Sequence, residues 1–220
     1  MPPEVVACIP AKALSHAKSR LGLADAERRL VAKRLLHTTA RTALGSDWVR
    51  SVLVVTADLE LADIATAAGA RVVPETAPGG LNAAVDLVRQ AARFASPHGW
   101  VLTLVADLPY LTSAELDVLV VEALTAKRPV MVPDAQGVGT TCLLHPSDRP
   151  GPALFGPGSA HRHREAGYIP AGLSLVGLRE DLDAAEDVMR LPERTRDALL
   201  TAEKSPDAER CRSVGGLALS

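Results

Sequence analysis

The sequence predicts one α/β domain built on a mostly parallel sheet that helices cover on both faces. Short apolar runs alternate four times with segments of helical periodicity, and the connections are short, which is typical of parallel strands joined by helices. With 220 residues, of which 47% are hydrophobic, the chain can bury one large core but is short for two domains. We therefore expect a single Rossmann-like domain over residues 1–202 and a disordered tail over residues 203–220.

The first half of the chain supplies three predicted strands and three predicted helices. Apolar runs rich in β-branched residues predict the strands, which cover Val5–Ile9, Ser51–Thr56 and Arg71–Val73. Apolar stripes at helical spacing, with glycine at one end, predict the helices, which cover Asp25–Leu44, residues 59–68 and Leu81–Ala95. A polar, basic loop over residues 10–22 separates the first strand from the first helix.

The second half of the chain begins with its most hydrophobic strand, Trp100–Val105. Thr112 and Glu115 have the spacing of a capping box, so a helix is expected to begin there and to run to about Ala126. The remaining strands are predicted at Val130–Val132, Thr140–Leu144 and Leu173–Leu178. After a Pro- and Gly-rich loop over residues 145–160, we expect a short basic helix over Ser159–Ala166 and a last helix that begins near Asp183.

Composition excludes several classes of partner. A net charge of −2 argues against nucleic acid or an anionic membrane, since either requires a basic surface, and 3% aromatic residues cannot supply stacking platforms for single strands. Cys8 and Cys142 lie in apolar runs, as reduced cysteines do. The N-terminus leads directly into a strand instead of a signal peptide, and no apolar stretch reaches membrane-spanning length. We expect a cytoplasmic protein.

The basic loop contains the first candidate site residues, Lys12, Lys18 and Arg20. Ligands of parallel sheets bind beyond the carboxyl ends of the strands, and loops 10–22, 74–82 and 106–111 all follow strands. Cations at that edge would neutralise a polyphosphate, although a merely solvated basic loop is an equal alternative. The loop is neither a Walker A loop nor a GxGxxG turn.

Acidic side chains supply a candidate magnesium site. Asp107 follows a buried strand, and a carboxylate there suits Mg²⁺, which binds through one or two carboxylates and substrate phosphates. In the segment Asp181-Leu182-Asp183 an extended backbone directs both acids to one face, where they would repel unless a cation lay between them. Asp183 could instead cap a helix, with Glu186 as its partner in the first turn.

Weaker signals come from glycine-rich turns and from a basic run. Glycines in segments 137–141 and 155–159 allow close approach of a ligand to backbone, although by themselves ordinary turns are the more frequent explanation. The run His161-Arg162-His163-Arg164 is interpreted as an exposed helix face that could add positive charge, and no ligand spacing around it suggests zinc. Glu75 and Asn82 flank the pair Gly79-Gly80 and could read the edge of a base.

Together these motifs resemble the phosphoenolpyruvate and 2-phospho-L-lactate guanylyltransferases of coenzyme F-420 biosynthesis. The resemblance runs from about Val5 to Val188 and depends on Pro10-x-Lys12, Lys18-x-Arg20-Leu21, Asp107-Leu-Pro109, Gly139-Thr140, Phe155-Gly156-Pro157-x-Ser159 and Asp181-x-Asp183. It implies a molybdenum-cofactor-guanylyltransferase-like fold of the nucleotide-diphospho-sugar transferase type. Two positions depart from the pattern: Ala184 replaces a threonine, which could loosen the metal shell, and Thr141 replaces an asparagine of some members.

The resemblance also implies substrates and roles. The substrates would be GTP and a small phosphorylated acid, with phosphoenolpyruvate favoured, and the cofactor Mg²⁺. The implied contacts are Lys12, Lys18 and Arg20 with the GTP phosphates, Glu75, Gly80 and Asn82 with the nucleotide, Thr140, Gly156 and Ser159 with the acid, and Asp107, Asp181 and Asp183 with the metal. The alternatives are another nucleotidyltransferase or a nucleotide-sugar glycosyltransferase of this architecture, or a non-catalytic nucleotide sensor. The oligomeric state, monomer or homodimer, stays open.

Overall fold

The computed structural model describes residues 4–14, 21–76 and 79–201. The strands in these ranges are β1 (Val5–Pro10), β2 (Val49–Thr56), β3 (Arg71–Pro74), β4 (Trp100–Leu104), β5 (Val130–Pro133), β6 (Thr140–Pro146) and β7 (Ile169–Pro170). The helices are α1 (Asp25–Leu44), α2 (Leu59–Ala67), α3 (Leu81–Ala95), α4 (Ser113–Ala126), α5 (Ser159–Glu165), α6 (Val176–Arg179), α7 (Ala185–Arg190) and α8 (Glu193–Leu200). The predicted tail at 203–220 lies outside the described residues.

The strands form one sheet in the order β3-β2-β1-β4-β6-β5-β7. The pairs β2–β3, β1–β2 and β1–β4 are parallel, and β6 runs antiparallel to both of its neighbours. The chain first builds outward from β1 through β2 to β3 and then continues on the other side of β1 with β4. This reversal opens a crevice between the carboxyl ends of β1 and β4. The mostly parallel α/β sheet confirms the predicted fold class.

Alternate residues of β1 serve the two faces of the sheet, because successive strand residues point in opposite directions. Val5, Ala7 and Ile9 belong to the core beneath α1, α2 and α4. Val6 and Cys8 belong to a second core beneath α3. Both faces are therefore covered, which explains why β1 is apolar at every position and why no alternation is visible in its sequence.

The predicted capping box is present at the start of α4. The Thr112 hydroxyl accepts from the backbone N–H of Glu115, and the Glu115 carboxylate accepts from the backbone N–H of Thr112. These bonds satisfy amides that have no partner inside the helix. Among the described residues no helix is both long and apolar enough to cross a membrane.

The prediction of a strand at Leu173–Leu178 is wrong. This segment forms a turn and the short helix α6, and the strand at this edge of the sheet is β7, which pairs with β5. Glutamates of α4 explain the difference, since Glu122 accepts from the backbone N–H of Gly172 and Glu115 from that of Gly177. Side chains thus provide the partners that a neighbouring strand would have provided.

The last predicted helix begins two residues late and is followed by another. Asp183 is not its cap: the N-cap is Ala184, and the Asp187 carboxylate accepts from the backbone N–H groups of Asp183 and Ala184. Pro192 then separates α7 from α8, because proline has no backbone N–H with which to continue a helix. Helices α7 and α8 pack against α1 through Val188, Leu191 and Leu199.

We expect the buried His145 to make the protein less stable in acid. His145 is buried in β6, and burial, followed by the charge of Arg89, lowers its pKa to about 4. The unfolded chain therefore binds more protons between pH 6.5 and 4, so the free energy of unfolding decreases as the pH falls through that window. We expect His145→Gln to remove about 2 kcal/mol of the decrease between pH 7 and pH 5.

Urea unfolding at pH 7 and pH 5 measures this difference. The control is His98→Gln, since His98 is exposed and should leave the pH dependence unchanged. An identical pH dependence in wild type and His145→Gln would contradict the prediction.

Candidate active site

The carboxyl edge of the sheet carries an open cavity of about 620 Å³ between β1 and β4. Several predicted site residues line it together, from segments far apart in the sequence: Lys12, Asp107, Thr140, Gly156, Ser159, Asp181 and Asp183. The cavity lies where the winding of the chain reverses, the usual position of ligand sites in open α/β sheets. Their functional roles stay predictions.

The loop after β1 brings Lys12 to the cavity. The Ala11 amide continues the bonding of β1 to β2 by donating to Val55 at 2.9 Å, and the Leu14 amide donates to Asp58 Oδ2 at 2.9 Å. Leu14 is fully buried, so the loop is anchored on both sides of Lys12, whose own side chain is exposed. Lys18 and Arg20 lie outside the described residues.

The two acidic segments are joined to each other. The Leu182 amide donates to the Asp107 carbonyl oxygen at 3.0 Å. Leu182 is buried in the cluster that packs against α1, while Asp181 and Asp183 on either side of it line the cavity. This alternation is the arrangement that the extended segment predicts.

Asp181 lies among other acids. Burial, followed by the negative charges of Asp107, Asp183 and Asp134, raises the pKa of Asp181 to about 7. An environment of this kind disfavours the carboxylate until a cation neutralises it. The acids therefore form an electronegative patch that would bind a cation.

The donor set suits magnesium, although the protein alone does not complete a cage. In the described ranges no three Asp, Glu, His or Cys side chains are arranged to hold a metal ion by themselves. Mg²⁺ requires few protein ligands, since waters and substrate phosphates supply the others. All of the candidate donors are carboxylate oxygens, which this hard cation prefers, so the residues fit an ion that is bound together with a polyphosphate.

Thr140 reaches the cavity because β6 is antiparallel. The first residue of β6, Thr140, therefore lies at the edge of the sheet where the parallel strands end. The turn before β6 is held by Asp134, whose carboxylate accepts from the amides of Val138 at 2.9 Å and Gly139 at 2.7 Å. A side chain on Gly139 would collide with this carboxylate, which explains the glycine next to Thr140.

The loop before α5 lines the cavity together with Thr140. Gly156 has a φ of 119°, a backbone conformation that favours glycine, and the Ser159 side chain is buried. Asn82 braces this loop, since its amide accepts from the Phe155 N–H at 2.8 Å and donates to the Phe155 carbonyl at 3.2 Å. The predicted contact of Asn82 with a nucleotide stays a prediction.

Gly80 and Glu75 precede α3 in the chain. Gly80 is the N-cap of α3 with a φ of 84°, and its neighbour Leu81 lines the cavity. Glu75 continues from β3 through a bond from its amide to the Thr56 carbonyl oxygen. Neither lies among the cavity-lining residues, so their assignment to the nucleotide also stays a prediction.

Sequence reasoning missed three residues around the site. Asp134 follows β5 as Asp107 follows β4. An aspartate after a strand was the sequence pattern that could have identified Asp134. Arg89 is buried on the apolar face of α3, where it donates to the hydroxyls of Thr103 and Tyr168 and to the carbonyl of Gly151. His163 is fully buried, so the interpretation of residues 161–164 as an exposed face is wrong at that position.

Comparisons with known sequences identify the family of this chain. The model of the MobA-like NTP transferase domain matches residues 19–166. The phosphoenolpyruvate guanylyltransferase of Salinispora arenicola is 39% identical over 92% of this chain and 95% of its own length, and that of Streptomyces scabiei is 41% identical over 82% and 86%. The chain belongs to the phosphoenolpyruvate guanylyltransferase family. It is therefore a nucleotidyltransferase.

Solved structures support the fold. A structure described as a nucleotide-diphospho-sugar transferase from Desulfovibrio desulfuricans G20 has a TM-score of 0.66 at 14% identity and covers 97% of this chain and 95% of its own. A cytidylyltransferase from Leptospira borgpetersenii has a TM-score of 0.54 at 15% identity and covers 99% of both chains. At these identities the likeness concerns the fold alone.

Proposed function

We propose that this member of the family transfers GMP from GTP to phosphoenolpyruvate with release of pyrophosphate. The observation that carries the proposal is the cavity itself, which is lined by Lys12 and four aspartates together with Thr140, Gly156 and Ser159. Relatives named for this reaction support the choice of substrates. The resemblance supports a place in coenzyme F-420 biosynthesis, and the buried free thiols of Cys8 and Cys142 are consistent with the cytoplasm.

The proposed reaction is an in-line displacement. A phosphate oxygen of the acid forms a bond to the α-phosphorus of GTP, and the bond from that phosphorus to the bridging oxygen of pyrophosphate breaks. The attacking oxygen is already anionic, so no general base is required. The work of the protein is then to position the two substrates and to stabilise the charge on the phosphates.

The proposed roles divide the site residues among the two substrates and the metal. Lys12, with Lys18 and Arg20, neutralises the triphosphate, while Thr140, Gly156 and Ser159 hold the acid. Asp107, Asp181 and Asp183 would hold Mg²⁺, which when bound would neutralise charge on the reacting phosphates. Asp134 keeps the turn before Thr140 in place.

A non-catalytic nucleotide sensor is disfavoured, because the relatives of this chain are named as guanylyltransferases. A glycosyltransferase is disfavoured because its Asp-x-Asp pair usually follows a central strand, where this chain has Asp107-Leu108-Pro109.

The test is a matrix of substrates. The purified chain is incubated with Mg²⁺, each of GTP, ATP, CTP and UTP, and each of phosphoenolpyruvate, 2-phospholactate and 3-phosphoglycerate. Pyrophosphate is followed continuously, and mass spectrometry identifies the product. We expect release with GTP and phosphoenolpyruvate, stopped by a chelator. Absence of pyrophosphate with every pair would contradict the proposal and favour the sensor.

A further inference from the structure

His163 contacts Thr140 from behind the cavity wall. Its ring is fully buried in α5 and lies edge-on to Phe155 and Tyr168, with ring centroids 5.4 Å from each. Nδ1 lies 3.0 Å from the Thr140 hydroxyl oxygen, and Nε2 accepts from the backbone N–H of Leu154 at 3.0 Å. Both ring nitrogens therefore have partners, and the orientation of the ring is fixed.

The two partners determine which nitrogen carries the proton. A backbone N–H can only donate, so Nε2 must be the unprotonated nitrogen. Burial, followed by the charges of Arg89 and Arg162, lowers the pKa of His163 to about 4, so the ring is neutral at pH 7. A neutral imidazole has one N–H, which must then be on Nδ1. The backbone of Ser159 partly opposes this lowering of the pKa.

The Thr140 hydroxyl consequently has one role left. It accepts from Nδ1–H, so its own proton must point elsewhere. Among the described residues this hydroxyl has no second hydrogen-bond partner, and Thr140 lines the cavity. A donor at the wall of the cavity matches a group that only accepts, such as a fully deprotonated phosphate or a carboxylate.

We propose that His163 is a positioning residue, which holds the Thr140 hydroxyl as a hydrogen-bond donor to the anionic group of the acid substrate. This inference rests on the proposed function for the identity of the acid. It requires three hydrogen bonds with fixed directions. The Leu154 N–H donates to Nε2 of His163, Nδ1–H donates to the Thr140 hydroxyl, and that hydroxyl donates to the ligand. If the hydrogen bond between His163 and Thr140 ran in the opposite direction, the Thr140 oxygen would face the ligand as an acceptor and would repel an anion.

The first test reads the tautomer without any substrate. Long-range ¹H–¹⁵N spectra of the ¹⁵N-labelled protein at pH 7, assigned with His163→Asn, distinguish the two neutral forms of the ring. We expect His163 to be protonated at Nδ1 only. Protonation at Nε2, or at both nitrogens, would overturn the inference whether or not the protein is active.

The second test separates the two nitrogens with a matched pair of variants. His163→Asn can place an amide N–H where Nδ1 lies, whereas His163→Gln can place a carbonyl oxygen where Nε2 lies; both lose the ring. We expect His163→Gln to raise the KM for phosphoenolpyruvate about tenfold, with the KM for GTP unchanged, and His163→Asn to raise it by about threefold or less. The opposite order would mean that His163 only holds the loop at Leu154, and would overturn the inference.

The third test asks whether His163 acts through Thr140. In a Thr140→Val background the hydroxyl is gone, so adding His163→Gln should leave the KM for phosphoenolpyruvate unchanged. Independent, additive effects would overturn the inference. If the wild type releases no pyrophosphate with any pair, the proposed function fails separately. The variants are then compared by calorimetry with phosphoenolpyruvate, and absence of binding to the wild type would overturn this inference too.

Discussion

Asp107→Asn should lower turnover with GTP and phosphoenolpyruvate by about 10²- to 10³-fold, because it removes a negative charge from the proposed magnesium site. Asparagine is nearly isosteric, and the bond between the Asp107 carbonyl oxygen and the Leu182 amide involves backbone only. The fold should therefore persist. The half-saturating concentration of Mg²⁺ should rise as well, since one anionic ligand is lost.

Steady-state kinetics over a series of Mg²⁺ concentrations measure both effects. The matched control is Asp148→Asn, because Asp148 is exposed and follows β6 at the end of the sheet opposite the cavity. It should leave turnover unchanged. Wild-type turnover and Mg²⁺ dependence in Asp107→Asn would remove this residue from the mechanism.

Lys12→Met should lower turnover by about 10²-fold, because it removes a positive charge from the cavity where the triphosphate is proposed to bind. Methionine retains much of the length of the side chain without its charge. Lys12→Arg should retain more activity than Lys12→Met, since the charge is kept while the geometry changes. The loop itself should keep its place, because Ala11 and Leu14 anchor it through backbone amides.

The control for this series is Lys127→Met at the end of α4. Helices that follow parallel strands end at the edge opposite the cavity, so Lys127 should have no effect on turnover. Initial rates with saturating phosphoenolpyruvate and variable GTP provide the comparison. Equal rates for Lys12→Met and Lys127→Met would show that the cavity does not use Lys12 for catalysis.

The parts of the fold that depend on local periodicity were predictable from the sequence. The strand Val5–Pro10, the capping box at Thr112 and the alternation around Leu182 all follow from patterns within a few residues. The position of the cavity was predictable too, because the carboxyl ends of parallel strands define it. Asp107 and Lys12 could therefore be selected as residues that follow strands.

Features that depend on distant partners were not predictable in this way. Leu173–Leu178 has an apolar pattern compatible with a strand, but glutamates of α4 bond to the amide of Gly177 within it and to that of Gly172 just before it. His163 stands in a run that reads as an exposed basic helix, and only its contact with Thr140, 23 residues earlier in the chain, reveals its place. Local sequence contains no information about such contacts, so the resemblance could name Thr140 as a site residue but not His163 as its partner.

We propose that Asp107, Asp181 and Asp183 share one divalent ion with the triphosphate. The most direct measurement is the anomalous signal of Mn²⁺ in crystals grown with a non-hydrolysable GTP analogue. We expect a peak at about 2–2.4 Å from carboxylate oxygens of Asp107 and of at least one of the other two acids, and in contact with a phosphate. A peak that phosphates alone hold, without contact to any of the three carboxylates, would contradict the account.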